Sequence, residues 1–280
     1  METIQRGLGS RLLPWAAWLL AIALSAPVLR WLANVWATSV YDAHGVLVPL
    51  VAAAMVFSQR RALSALPHGP DNTGLWLTGA GIVLLLAALL MNFNLLGGVA
   101  LVVIMAGMVW SLWGPAVLRL IWFPLAFLLL MLPLNYPLEI LLGFPMRLLS
   151  TKLSGALLGL FGQTVEVHGT VIGTPQFSIA IESPCSGLKT LSALLTVGLV
   201  LGYFLHQRLW RRVLIILLVP PVAILANAIR NIVILLIGHY YGTEAAEGWL
   251  HTFSGIVVFL LAAVMLILVS EAFLWRRTSD

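Results

Sequence analysis

A lone thiol stands at a change of pattern in an otherwise apolar sequence. Cys185 is the one cysteine of the chain, and a strand-like pattern ends there while a long helical pattern begins. Ser183 is the predicted N-cap and Pro184 the first helical residue. The thiol then lies in the first turn, where the positive helix end and Lys189, four residues on, stabilise a thiolate. The alternative is a buried cysteine that acts as a small apolar residue.

A guanidinium interrupts a later apolar stretch. Arg230 lies within residues 223–237, which are otherwise nearly all apolar. A charge at the centre of a membrane helix costs about 2.5–3.5 kcal/mol on insertion scales, so such residues face the bundle interior and mark sites. Asn227 and Asn231 flank it at helical spacing and share its polar face. A structural hydrogen-bond network between helices is the alternative.

An imidazole opens the last predicted helix. His251 is followed at three and four residues by Ser254 and Gly255, on the same helical face. Position alone also fits an ordinary interfacial histidine. His239 and His44, each near the outer end of another predicted span, are rivals for a role in proton transfer.

These three groups together suit one kind of chemistry. A thiolate is a nucleophile, an imidazole transfers protons and a guanidinium binds an oxyanion. Because they fall on three consecutive predicted helices, at or towards the outer side, the topology allows them to meet. The combination predicts acyl transfer by a cysteine enzyme.

Composition sets the class of protein. The 280 residues are 61% hydrophobic and only 9% charged, whereas a soluble domain has about 25% charged residues. A water-soluble globule is therefore excluded, and a polytopic membrane protein is predicted as a single integral membrane domain over residues 1–280. The net charge of +5 does not imply nucleic acid, because the basic residues lie between apolar stretches. The sequence indicates no metal, nucleotide or other cofactor.

The predicted fold is an all-α bundle of about eight transmembrane helices. The expected spans are roughly 12–33, 39–58, 73–92, 95–113, 115–134, 187–205, 213–240 and 252–274. If they alternate, most arginines fall on one side, which predicts that both termini are cytoplasmic.

The segment of about 135–186 is predicted to face outward. Residues 137–162 suit an interfacial or re-entrant helix, because charged residues and a proline interrupt their apolar character. Residues 164–172 and 176–182 alternate in polarity around a Gly-Thr-Pro turn at 173–175. A small β-hairpin before the sixth span is therefore expected.

At these residues the chain resembles the exosortase/archaeosortase family. The matching pieces, in order, are 41–45 with Val48-Pro49, 183–188, 227–231, and His251 with Gly255 and Phe259. The ordered set covers most of the chain. One departure is Asn231, which follows the arginine where an apolar residue is expected.

The resemblance implies a cysteine protease or transpeptidase of the bacterial inner membrane that cleaves exported proteins. Its substrates would carry a C-terminal sorting tail: a Pro-Glu-Pro-like motif, a transmembrane helix and a basic cluster. By the resemblance, Cys185 is the nucleophile, Arg230 stabilises the oxyanion or orients substrate, and His251 transfers the proton. The predicted substrate-binding residues are Glu182, Lys189, Asn227, Asn231 and His44.

Two other classes of function stay open. A membrane transporter would use Arg230 for an anionic substrate and would not need the thiol, so Cys185→Ser would leave it working. A non-catalytic subunit of a polysaccharide-export complex would show no shared phenotype when Cys185, Arg230 and His251 are replaced. Hydrolysis and transpeptidation are not separated by the sequence.

Overall fold

The computed structural model describes residues 2–39, 42–67, 69–175, 177–181, 187–205, 208–242, 244 and 249–275. Within these ranges, the side chains of residues 2–17, 135–136, 249–252 and 272–275 lie outside the description. The chain divides into two compact units, Met1–Pro133 and Leu134–Asp280. Each unit is described by itself. The single integral membrane domain over 1–280 stays a prediction.

The first unit is helical throughout its described part. Its elements are α1 Glu2–Thr38, a 3₁₀ turn Ala43–Val46, α2 Leu47–Ser58, α3 Arg60–Ala65, α4 Gly74–Leu90, α5 Asn94–Trp113, α6 Pro115–Phe127 and a 3₁₀ turn Leu128–Met131.

Small residues bring α4 and α5 into backbone contact. A Cβ placed on Gly107 of α5 would lie 2.4 Å from the backbone nitrogen of Thr78 in α4. A Cβ on Gly74 of α4 would lie 2.4 Å from the backbone nitrogen of Ser111. Lipid gives little hydrophobic driving force between helices, so close van der Waals packing at small residues holds such pairs together.

Gly107→Ala is expected to lower the free energy of unfolding by about 1–3 kcal/mol, because overpacking against backbone forces the two helices apart. Thermal unfolding of the purified protein in detergent measures this effect. Gly79→Ala is the matched control on α4, since nothing lies within 4 Å of its Cβ position. The control should be neutral or slightly stabilising. Equal Tm values for the two variants would contradict the packing argument.

A capped loop precedes α4. The Asp71 carboxylate accepts hydrogen bonds from the Thr73 hydroxyl at 2.6 Å, the Thr73 backbone N–H at 2.9 Å and Trp110 Nε1 at 3.0 Å. The Asp71 N–H donates to the Ser111 carbonyl at 3.0 Å. These bonds attach the loop to the end of α5. The Thr73 hydroxyl, then the Thr73 N–H and Trp110, lower the pKa of Asp71 below its usual 3.8.

This pKa shift predicts a pH-dependent contribution to stability. Because the folded pKa is below the unfolded one, the contribution is present above about pH 4 and is lost as pH falls through the folded value. The Tm of Asp71→Asn should therefore lie below that of the unmodified protein at pH 6, and the gap should narrow as the pH is lowered below about 4. A gap that is constant with pH would show that the carboxylate charge contributes nothing.

The described part of the second unit contains five α-helices, a π-helical turn and one small sheet. Its elements are α7 Asn135–Leu138, a π-helical turn Glu139–Gly143, α8 Phe144–Leu160, β1 Glu166–His168, β2 Val171–Gly173, β3 Ser178–Ala180, α9 Leu188–Leu205, α10 Leu209–Tyr241 and α11 Trp249–Trp275.

The sheet has three antiparallel strands in the order β1-β2-β3, so the prediction of a two-stranded hairpin is wrong in detail. The predicted strand 164–172 is itself a hairpin, because Gly169 adopts φ +62° and turns the chain between β1 and β2. The predicted turn at 173–175 does join β2 to the next strand. Ile172 and Ile181 pack with Leu158 and Leu235, which fixes the sheet against α8 and α10.

The helix α8 is built with its polar side inward. Ser150, Thr151 and Ser154 are fully buried, whereas Leu149 and Leu160 are exposed. This arrangement is typical of a helix whose apolar side meets lipid and whose small polar residues meet other helices. A second buried cluster joins α8 to α9, α10 and α11, and its fully buried members are Leu194, Ile215, Val219, Ala223 and Leu266.

Membrane crossing is supported for fewer helices than predicted. Five helical stretches of the described chain are long and apolar enough, namely Trp18–Thr38, Asn94–Trp113, Leu188–Leu205, Leu209–Tyr241 and Phe253–Glu271. Three shorter apolar stretches are Ala43–Ser58, Gly74–Leu90 and Pro115–Met131. The helical membrane class is therefore supported, but the count of eight spans is not confirmed.

Candidate functional site

The guanidinium of Arg230 lies between two helices of the second unit. Arg230 projects from α10 and is half-buried, and its Nε donates to the Ser254 hydroxyl of α11 at 3.5 Å. A Cβ placed on Gly255 would lie 3.8–4.0 Å from atoms of the same guanidinium. The small residues Ser254 and Gly255 thus leave room for the arginine against α11.

The same face of α11 carries the predicted histidine. His251 is the third residue of this helix, three and four residues before Ser254 and Gly255. Residues at this spacing are neighbours on one helical face. The structure therefore brings Arg230 to the face of α11 on which His251 lies, while the imidazole itself is outside the description.

Asn227 connects α10 to two other elements. Its side chain is 2% exposed, and its Nδ2 donates to the Ser150 hydroxyl of α8 at 3.2 Å. Beside it, the Ser154 hydroxyl donates to the Ala228 carbonyl at 3.1 Å. Interhelical hydrogen bonds of this kind contribute about 0.6 kcal/mol on average. Asn227 thus makes an interhelical hydrogen bond of the kind that was the alternative in the sequence, and its assignment to substrate binding stays a prediction.

Asn227 also contacts the residue that follows the thiol motif. Gly187 has φ +81°, and a Cβ on it would lie 3.0 Å from both Cβ and Cγ of Asn227. Only glycine accepts this conformation without strain. The chain two residues beyond Cys185 is therefore held directly against α10, one turn before Asn231.

The start of α9 differs from the prediction. The helix begins at Leu188, and the Gly187 carbonyl accepts the first helical bond, from the Leu191 N–H at 2.9 Å. Gly187 is therefore the N-cap of α9, and its φ of +81° interrupts the helix on that side. Glu182, Cys185 and the predicted helix start at Ser183 and Pro184 lie outside the described residues. Because Gly187 lies between them, Cys185 and Lys189 do not belong to one continuous helix.

Lys189 does approach another predicted site residue. Lys189 is the second residue of α9 and is exposed. Its positive charge interacts with that of Arg230. Two cations near one another attract an anionic group. This part of the second unit is therefore suited to a carboxylate or to a developing oxyanion.

Asn231 is the most unusual side chain of the second unit. It is 0% exposed, and neither Nδ2 nor Oδ1 has a hydrogen-bond partner among the described residues. Leaving a buried polar group unpaired costs about 1–3 kcal/mol. Most buried polar groups are paired, so one that is not requires an explanation.

The rival histidines lie in other surroundings. His239 Nδ1 is 3.0 Å from the Thr174 hydroxyl, and its neighbour Gly238 lies against the Phe177 ring. His239 therefore attaches the turn before β3 to α10. His44 belongs to the first unit, half-buried in the 3₁₀ turn there, two residues after Asp42. The assignment of His44 to substrate binding stays a prediction.

Several polar residues of this region were missed from the sequence. Ser150 and Ser154 support α10, and Arg147 forms an ion pair with Glu139 across the π-helical turn. The spacing of four between the two serines, within an apolar helix, is the signal that identifies such a face.

Comparison with known proteins gives one match. The model of the transmembrane exosortase family matches residues 36–268, which is most of the chain and includes every predicted site residue. No curated protein matches the chain. No solved structure matches it either. By the extent of this match, together with its apolar helices and the ordered motifs, the chain belongs to the transmembrane exosortase family.

Proposed function

We propose that this protein is a membrane cysteine protease or transpeptidase that cleaves C-terminal sorting tails from exported proteins. Cys185 is the nucleophile, Arg230 binds the carbonyl oxygen or orients the substrate, and His251 transfers the proton. The active site faces the outer side of a bacterial inner membrane, and both termini are cytoplasmic.

One observation carries this proposal. A single helix, α10, holds Arg230 against the His251 face of α11 and holds Asn227 against Gly187, two residues after Cys185. Arg230 and Asn227 are separated by less than one helical turn, which spans about 5.4 Å. Residues from three chain regions thus converge on a short length of one helix, as acyl transfer by separate nucleophile, proton carrier and oxyanion donor requires.

The reaction follows from these roles. The Cys185 thiolate attacks the carbonyl carbon of the scissile peptide, forming a C–S bond while the carbonyl electron pair moves to oxygen. The intermediate collapses, the C–N bond breaks, and the imidazolium of His251 gives its proton to the departing amine. Water or an acceptor amine then attacks the thioester, gives its proton to His251, and releases the thiolate.

The charge near Arg230 fits the tail that the family resemblance implies. Lys189 and Arg230 repel each other, so an acidic residue bound between them relieves that repulsion. The glutamate of a Pro-Glu-Pro-like motif is such a residue. Glu182, which precedes the thiol motif, is assigned to contact a charged residue elsewhere in the tail.

C-terminal peptide mapping of exported proteins tests the function. Native cells are compared with a Cys185→Ala strain at equal protein abundance, and Ser154→Ala is the control variant. Retention of hydrophobic tails in the Cys185→Ala strain alone is the expected result, and it gives the cleavage site directly. Unchanged C-termini in a strain with folded Cys185→Ala protein would refute the proposal and favour a transporter or a scaffold.

A further inference from the structure

The unpartnered amide of Asn231 lies between two positions on α10 at which other parts of the chain pack. Along α10, Asn227, Asn231 and Leu235 follow at intervals of four residues and share one face. Gly187 packs against Asn227, and Ile181 belongs to the buried cluster of Leu235. Asn227 and Leu235 are about 12 Å apart along the helix axis.

The chain from Ile181 to Gly187 carries Cys185. Its described ends are attached to α10 on either side of Asn231, one turn above and one turn below. The chain segment between those two ends therefore starts and ends at the face of α10 that carries Asn231. Asn231 is the residue of that face whose amide no described residue satisfies.

We propose that Asn231 is a catalytic oxyanion donor, whose Nδ2–H binds the carbonyl oxygen of the scissile peptide as that oxygen becomes negative. This inference rests on the proposed function and adds a residue to it. A buried N–H donor that has no partner in the resting enzyme does not have to break another hydrogen bond when negative charge develops on the carbonyl oxygen. That property accounts for a fully buried amide with no hydrogen-bond partner in the described chain.

Asn227, one turn before Asn231 on the same face, has a hydrogen-bond partner. Asn227 donates one of its two amide N–H groups to Ser150 and packs on Gly187, so its side chain is already engaged by the fold. Arg230, the next residue before Asn231, lies about 100° around the helix and reaches α11. The oxyanion would thus be approached by an amide from one side and a guanidinium from the other.

The test compares two reactions of the same thiol. Full-length protein in liposomes is given a reporter whose C-terminal tail the unmodified protein cleaves, and separately iodoacetamide. Cys185 is the one cysteine, so alkylation reports on its thiolate alone. Alkylation displaces iodide at a saturated carbon and forms no oxyanion, whereas peptide cleavage does.

Asn231→Leu is expected to lower kcat for cleavage about 10²–10³-fold, with KM nearly unchanged. The alkylation rate of Cys185 should stay within two-fold. The Tm should rise or stay equal, because a buried unsatisfied amide is replaced by an apolar group of similar volume. Ser154→Ala, which loses the hydroxyl shared between the Ser150 carbonyl of α8 and the Ala228 carbonyl of α10, should retain cleavage.

Three results would overturn the inference. Cleavage by Asn231→Leu at the unmodified rate shows that the amide does not act. A parallel fall in alkylation shows that Asn231 acts on the thiolate and not on the oxyanion. A clear fall in Tm shows a ground-state structural role. Cleavage by Cys185→Ala is a separate result, since it would refute the proposed function itself.

Discussion

Arg230→Ala is expected to lower tail cleavage about 10²–10³-fold, the loss that follows removal of one oxyanion donor. The guanidinium of Arg230 is half-buried and lies against Ser254 and Gly255 on the face of α11 that carries His251. Its removal leaves the developing negative charge without its largest local counter-charge. Cleavage of a tail reporter by the full-length protein in liposomes measures the effect.

The loss cannot be attributed to unfolding. Removing a charge from an apolar helix lowers the cost of membrane insertion, so Arg230→Ala should keep or raise the Tm. Ser254→Ala is the matched control, because it removes the hydroxyl that meets Nε at 3.5 Å and leaves the guanidinium. It should reduce cleavage only a few-fold.

Arg230→Lys separates charge from geometry. Lysine keeps the positive charge but lacks the planar fork of five N–H donors. If the arginine acts through a directed hydrogen bond, the lysine variant recovers only a small part of the lost rate. Full activity in Arg230→Lys would assign the role to charge alone, and full activity in Arg230→Ala would exclude Arg230 from catalysis.

The helices and the position of Arg230 could be predicted because both depend on local sequence. Apolar runs specify helices wherever the chain is long enough, and α9 and α10 begin within four residues of the predicted spans. A charge in such a run must be accommodated between helices, so its approach to another helix was foreseeable. The partner residues Ser254 and Gly255 lie where the helical spacing from His251 places them.

The start of α9 and the turn within the sheet could not be predicted in the same way. Ser183-Pro184 is a good helix-start signal by itself, but α9 begins after Gly187, whose positive φ interrupts the helix where the chain contacts Asn227. That contact joins residues forty positions apart and leaves no local pattern. Likewise Gly169 was assigned to a strand, since a glycine in an alternating run does not reveal its φ.

The different surroundings of Asn227 and Asn231 on the polar face of α10 could also not be predicted from the sequence. In sequence, Asn227 and Asn231 are equivalent neighbours of Arg230. In the fold, Asn227 finds Ser150 on α8, whereas Asn231 finds no partner in the described chain. The difference depends on where α8 crosses α10, which tertiary packing sets.

Gly187→Ala is expected to lower cleavage about 5- to 150-fold, because a left-handed backbone in a residue with a Cβ costs about 1–3 kcal/mol. The added carbon would also lie 3.0 Å from Cβ and Cγ of Asn227, closer than ordinary contact. Both effects displace the chain two residues from Cys185. We expect the rate to fall more than the Tm, since the displacement is local to the active segment.

A second variant separates the two causes. Asn227→Ala in the Gly187→Ala background removes Cγ and so relieves part of the overlap, but it leaves the backbone strain of residue 187. Cleavage should therefore recover only partly. Gly202→Ala is the control within α9, because its nearest contact would be an ordinary 3.6 Å to Arg212. Unmodified cleavage in Gly187→Ala would mean that the contact between this glycine and α10 does not position the thiol.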